Sequence, residues 1–166
     1  MKSRKGILSC LLGLWLSISF VSVFADPIIR HFVRGSFQEI VASRTGKPFI
    51  VSLWSLECTY CFDDMEIFGR LLKKHQGLDL VLISTDAAEQ VGEIAKVLKK
   101  YPLKQAESWV FADSFAERLR YEIDRQWYGE LPRTYFYNAQ GHAIALSGKL
   151  TQAQIESWIR STGKKN

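Results

Sequence analysis

The sequence predicts an α/β fold, a central mixed sheet flanked by helices. Three observations carry this. Residues 48–54 (Pro-Phe-Ile-Val-Ser-Leu-Trp) and 78–84 (Leu-Asp-Leu-Val-Leu-Ile-Ser) are near-continuous apolar runs, the pattern of strands buried on both faces of a parallel sheet. Each run leads into a segment of helical periodicity, as in successive βα units. Near the end, residues 133–137 and 142–147 flank the turn Asn138-Ala139-Gln140-Gly141 and read as an antiparallel hairpin at one edge.

A short strand is expected near Ile28–Val33, ahead of the first helix. Ser36-x-x-Glu39 reads as a capping box opening a helix to about Ser43, closed near Gly46. From Cys61 a helical face carries Phe62, Met65, Phe68 and Leu72. Asp63, Asp64 and Glu66 lie early in that segment and Lys73, Lys74 and His75 late, which complements a helix dipole. Asp86-x-x-Glu89 marks the next helix, with Val91, Ile94, Val97 and Leu98 inward, ending before Pro102. Trp109-Val110-Phe111 reads as a strand, and Ser114-x-x-Glu117 opens a helix carrying Phe115, Leu119 and Ile123. Thr151-x-x-Gln154 opens the last helix, with Ile155, Trp158 and Ile159 inward and Gly163 as its stop. The chain shows no internal repeat and no low-complexity linker.

Composition narrows the functional classes. The 166 residues are 47% apolar and 23% charged, an ordinary globular balance. The net charge of +5 owes much to Lys2, Arg4 and Lys5; without residues 1–25, 19 bases face 17 acids. No basic stripe of the kind nucleic-acid binders carry is visible, so no nucleic-acid partner is expected. Residues 2–5 are basic, residues 6–24 are apolar apart from small residues, and Val23-Phe24-Ala25 places small residues ahead of Asp26. This is the pattern of a signal peptide over residues 1–25. The apolar run of about 19 residues also suits an uncleaved membrane anchor. Both readings put a single domain, residues 26–166, outside the cytoplasm, in the periplasm or its equivalent. Cys10 precedes most of the apolar stretch, which argues against a lipoprotein.

Of the three cysteines, only Cys58 and Cys61 fall within residues 26–166, spaced C-x-x-C. A domain of this size can build its own core, and a bridge over so short a loop constrains the unfolded chain little. The pair therefore reads as chemical rather than structural. It follows a buried strand and opens a helix, where free backbone N–H groups stabilise a thiolate. Cys58, the more exposed, is expected to be the nucleophile and Cys61 the resolving thiol. The other readings are a structural disulfide or half of a metal site, but no second cysteine pair and no nearby histidine complete a zinc set.

With these residues in place, the chain resembles the thioredoxin-like superfamily and, within it, the TlpA-type envelope thiol–disulfide oxidoreductases. The W-x-x-x-C-x-x-C run is present from Trp54 to Cys61, and a Gly-x-x-Pro-x-Thr segment runs from Gly129 to Thr134. The hairpin turn Asn138–Gly141 is a third landmark, and the likeness spans about residues 36–162. The resemblance implies a thioredoxin-like fold with a TlpA/peroxiredoxin-type helix–strand insertion at about residues 87–112. It implies a cis Pro132 facing the cysteine pair, with Leu131 offering backbone groups to a bound peptide. Thr59, Tyr60 and Trp54 are expected at the same docking surface.

The chain departs from the family pattern in three ways. Glu57 stands where many members have Trp, Thr59-Tyr60 replaces Gly-Pro or Pro-Pro, and Ser52 takes the place of a buried strand acid. The expected activity is reduction of disulfides in client proteins, with electrons from a membrane thiol–disulfide donor. No Gly-x-Gly-x-x-Gly occurs, so no flavin or nicotinamide cofactor is expected. The alternative is an envelope copper-binding chaperone of the same fold using Cys58 and Cys61. A peroxiredoxin needs an upstream Pro and Thr that Ser55-Leu56-Glu57 do not supply. His31, His75 and His142 are expected at the surface. Trp127 and Tyr128 are read as core, edge or groove residues, and Arg125 and Arg133 as solvated charges or neighbours of the thiolate.

Overall fold

The computed structural model describes residues 27–162. The leader expected at residues 1–25, with Cys10, and the helix stop expected at Gly163 lie outside the described residues. Among the described residues no helix is long and apolar enough to cross a membrane.

Twelve segments follow in order: β1 (Ile29–Phe32), α1 (Ser36–Ala42), β2 (Phe49–Trp54), α2 (Thr59–Lys74), β3 (Leu80–Ala87), a 3-10 turn (Ala88–Gln90), α3 (Val91–Leu98), β4 (Glu107–Phe111), α4 (Ala116–Ile123), β5 (Arg133–Tyr137), β6 (Ala143–Ser147) and α5 (Gln152–Thr162). The strands form one sheet in the order β1-β4-β3-β2-β5-β6. β1, β4, β3 and β2 are mutually parallel, while β5 and β6 add antiparallel. All six residues of β2 are buried, as its unbroken apolar run requires.

Strand alternation divides the core in two. Phe49, Val51 and Leu53 of β2 face one side and join Phe37 and Ile40 of α1 and Leu119 and Ile123 of α4. Ile50 and Trp54 face the other and join α2, α3 and α5 through Met65, Phe68, Ile94 and Ile155. Period-2 strands meeting period-3.6 helices on both faces generate this layering. α2 lies against the 99–106 connection so closely that a Cβ on Gly69 would stand 2.6 Å from Cγ of Pro102.

Several element starts differ from expectation. α1 is capped by Gly35, whose φ of 91° suits glycine, and the Ser36 hydroxyl instead accepts the Val33 N–H at 3.0 Å. At the start of α4 the Asp113 carboxylate, not Ser114, accepts a loop N–H, from Phe115. Phe115 is 51% exposed and lies under the Arg118 guanidinium rather than in the core. Val91 is also partly exposed, so α3 docks through Ile94 and Leu98. Only at Thr151 does the expected box form: its Oγ1 accepts the Gln154 N–H, and Gln154 Oε1 accepts the Thr151 N–H.

Candidate functional site

The chain leaves β2 at Trp54, turns through 55–57 and enters α2 at Thr59. Cys58 is the residue that caps the helix, with extended backbone at φ −93° and ψ 93°. It is half-buried, whereas Cys61, one turn on, is 2% exposed in the core. The two are joined in a disulfide with Cα atoms 5.4 Å apart. Cys58 therefore sits at the N-terminal end of a 16-residue helix, a setting that favours a thiolate once the bridge is reduced.

The turn ahead of Cys58 is held from outside. The Leu56 N–H donates to both oxygens of Asp86, at 3.0 and 3.2 Å. Ser84 Oγ donates to the same carboxylate at 2.6 Å. The predicted helix-capping role of Asp86 is thus replaced by a brace from β3 to the 55–57 turn, at the place where β3 shifts register against β4 between Ser84 and Ala87.

A buried acid stands beside the pair. Asp64 follows Cys61 by three residues on α2, which in a helix brings Cβ atoms to about 5–6 Å. The residue is 1% exposed. Its Oδ1 accepts the Leu150 N–H at 2.9 Å, and its Oδ2 is buried with no partner. Burial pushes the carboxyl up to about 6 from 3.8; the Leu150 N–H opposes that rise, the Asp63 charge adds to it and Lys149 opposes it. Lys149 itself pairs with Asp63 at 2.7 Å. By sequence Asp64 is only one of the early acids that complement the helix dipole; its three-residue spacing from Cys61 is the signal that places it on the face of a buried residue.

The peptide Leu131–Pro132 is cis. Leu53 pairs with Arg133 across β2 and β5, so Pro132 leads β5 at the end of the sheet where Trp54 leads out of β2. Leu131 and Cys58 pack against the same apolar cluster. The Pro132 carbonyl accepts the Gly148 N–H at 2.8 Å, which joins the proline to the 148–150 strap that also binds Asp64.

No family-wide sequence profile matches this chain, and no curated protein matches it in sequence. Solved structures do match in shape. A secreted Mycobacterium tuberculosis disulfide oxidoreductase homologous to E. coli DsbE superposes with a TM-score of 0.59 at 20% identity, over 72% of this chain and 85% of that one. A thiol:disulfide interchange protein of the thioredoxin family from Chlorobium tepidum gives 0.58 at 18% identity, over 73% and 83%. StoA from Bacillus subtilis gives 0.50 at 21% identity, over 69% and 84%.

The fold is thioredoxin-like.

Within this thioredoxin-like domain, α3 and β4 are the helix and strand expected as the insertion at about 87–112. Ser52 is buried and accepts a hydrogen bond from Thr134 Oγ1 at 3.3 Å. The buried β2 position, where the resemblance implies an acid, therefore holds a hydroxyl pair, and a buried acid sits on α2. Thr59 and Tyr60 are exposed on the first turn of α2 and Leu131 is half-buried. Trp54 is a correction: at 2% exposure it supports the site from the core and offers no surface to a peptide. Trp127 and Tyr128 part ways, Trp127 buried with its indole N–H donating to the Glu130 carbonyl, Tyr128 92% exposed.

Glu57 is exposed beside Cys58. His31 and His142 are exposed, whereas His75, expected at the surface, is half-buried at the end of α2 with a buried Nε2 lacking a partner. Arg125 lies over the Tyr121 ring, and Arg133 is drawn into an ion pair with Asp124. Among the described residues no group of three or more His, Cys, Asp or Glu side chains is gathered as a metal site would need.

Proposed function

We propose that this protein is an extracytoplasmic thiol–disulfide oxidoreductase that reduces disulfides in client proteins. The observation that carries the proposal is the Cys58–Cys61 bridge at the start of α2, with Cys58 half-buried and Cys61 fully buried. The reduced form begins the reaction. The Cys58 thiolate attacks a client disulfide, forming a mixed disulfide and releasing one client thiolate. Cys61 then gives up its proton and attacks Cys58 Sγ, which re-forms the Cys58–Cys61 bridge and releases the second client thiolate. Two electrons pass to the client, whose two thiolates take up two protons.

Asp64 supplies a base for the second step. A carboxyl titrating at about 6 is mostly ionised at neutral pH yet close enough in basicity to take the Cys61 proton. Leu131, half-buried, supplies the docking edge with the buried Pro132 shaping it from behind, and Thr59 and Tyr60 are exposed on the first turn of α2. A membrane thiol–disulfide protein returns the electrons. Export is supported by the leader-like residues 1–25 and by the secreted relative of similar fold.

The test uses cysteine variants of the full chain. Cys61→Ser should accumulate a mixed disulfide with a client, visible on a non-reducing gel, and Cys58→Ser should form none. Full exchange activity in Cys58→Ser would overturn the mechanism.

A further inference from the structure

Between the end of α4 and the start of β5 the chain runs through residues 124–132 without a partner strand. Three backbone bonds brace it: Asp124 N–H to the Arg120 carbonyl, Trp127 N–H to the Asp124 carbonyl and Gly148 N–H to the Pro132 carbonyl. Its side-chain bonds converge on one cation. Arg133 Nη2 donates to Asp124 Oδ2 at 2.7 Å, Nη1 to Ser147 Oγ at 2.7 Å, and Nε to the Tyr135 hydroxyl at 3.2 Å. The Tyr135 hydroxyl donates onward to Asp124, and Ser147 Oγ to Glu130 Oε1. Glu130 in turn accepts the Tyr128 N–H with its side chain and the Trp127 indole N–H with its carbonyl.

We propose that Arg133 is a positioning residue whose guanidinium locks the end of α4, the 127–131 loop and β6 together, and so presets Leu131 and Pro132 for a client peptide. This rests on the oxidoreductase reading given above. Arg133 is 14% exposed and its Asp124 partner 20%, so the pair is shielded from salt. Partial burial would raise the Asp124 carboxyl, but the bonds from the Gln126 N–H, Arg133 and Tyr135 outweigh it and hold it below the usual range. The network uses all three guanidinium nitrogens in one plane. A lysine offers one nitrogen and cannot span a carboxylate, a serine and a tyrosine at once.

A clamp of this kind acts on substrates that dock along the loop and spares those that reach only the sulfur. Purified full chain is assayed on insulin with dithiothreitol supplying electrons, and on the small disulfide dithiobis-nitrobenzoate as protein reduced beforehand and freed of dithiothreitol, which would cleave that compound directly. For Arg133→Met and Arg133→Lys we expect kcat/KM on insulin to fall about tenfold, through KM. The small disulfide should change by less than about twofold. Parallel losses on both substrates, no loss on either, or wild-type behaviour of Arg133→Lys would overturn the proposal. If the arginine variants do not fold, Asp124→Asn is read by the same split and overturned by the same parallel loss. Wild-type protein inactive on both substrates would instead overturn the oxidoreductase reading.

Discussion

Replacing Asp64 with asparagine is expected to stabilise the fold at neutral pH and to leave it unchanged in mild acid. The carboxyl titrates at about 6 in the fold and at 3.8 in the unfolded chain. Because the folded value is the higher one, the acid favours folding only while protonated. That contribution is complete below 3.8 and is lost as the pH rises through about 6. At about 1.36 kcal/mol per pH unit, the gap between the two values sets an upper figure of about 3 kcal/mol by neutral pH. The asparagine amide would keep an oxygen for the Leu150 N–H and present an uncharged group where Oδ2 has no partner. At about 2–4 °C per kcal/mol the gain is at most about 6–12 °C in Tm near pH 7.5, shrinking to nothing near pH 4. Thermal unfolding of the oxidised protein, followed by circular dichroism at both pH values, measures this. An equal shift at the two pH values, or a loss at pH 7.5, would refute the reasoning. The same variant should prolong the mixed disulfide on the order of 100-fold, because the base for Cys61 is gone. Greater stability together with slower resolution is a combination that a purely structural role for Asp64 does not produce.

Two further substitutions test the scaffold. Gly69→Ala sets a methyl against the Pro102 ring and should destabilise by about 1–3 kcal/mol in urea unfolding; unchanged stability would mean α2 does not approach the 99–106 connection so closely. Asp86→Ala leaves the Leu56 N–H without its carboxylate and should lower stability by about 1–3 kcal/mol while broadening the NMR signals of residues 55–58; sharp, unshifted signals would show that the turn holds itself.

Capping boxes show where local reading succeeds and where it stops. Four segments of the form Ser/Thr/Asp-x-x-Glu/Gln stand where the sequence predicts a helix start, at 36, 86, 114 and 151. The Thr151 box forms because both partners are exposed and local, with nothing else competing for them. Ser36 turns back to Val33, and Asp86 reaches Leu56, 30 residues earlier in the chain. A short polar side chain bonds whichever N–H the packing presents, and a four-residue pattern does not contain that information.

The cysteine site divides the same way. Its position was legible, since a buried apolar run, a C-x-x-C and an amphipathic segment in succession demand a strand-to-helix junction. The fates of Asp63 and Asp64 were not. They are neighbours of identical chemistry, yet one pairs with Lys149 at the surface and the other is sealed beneath Leu150.

Sequence alone therefore determined the α/β class, the order of the strands and helices, and the sulfur pair at the head of α2, because periodicity and local backbone preference act over a few residues. Tertiary structure alone decided that Asp64 is the buried acid, that Asp86 braces the turn, that Trp54 lies under the site and that Arg133 gathers three segments. These roles depend on which distant groups meet once the sheet closes, and on the desolvation that follows when they do.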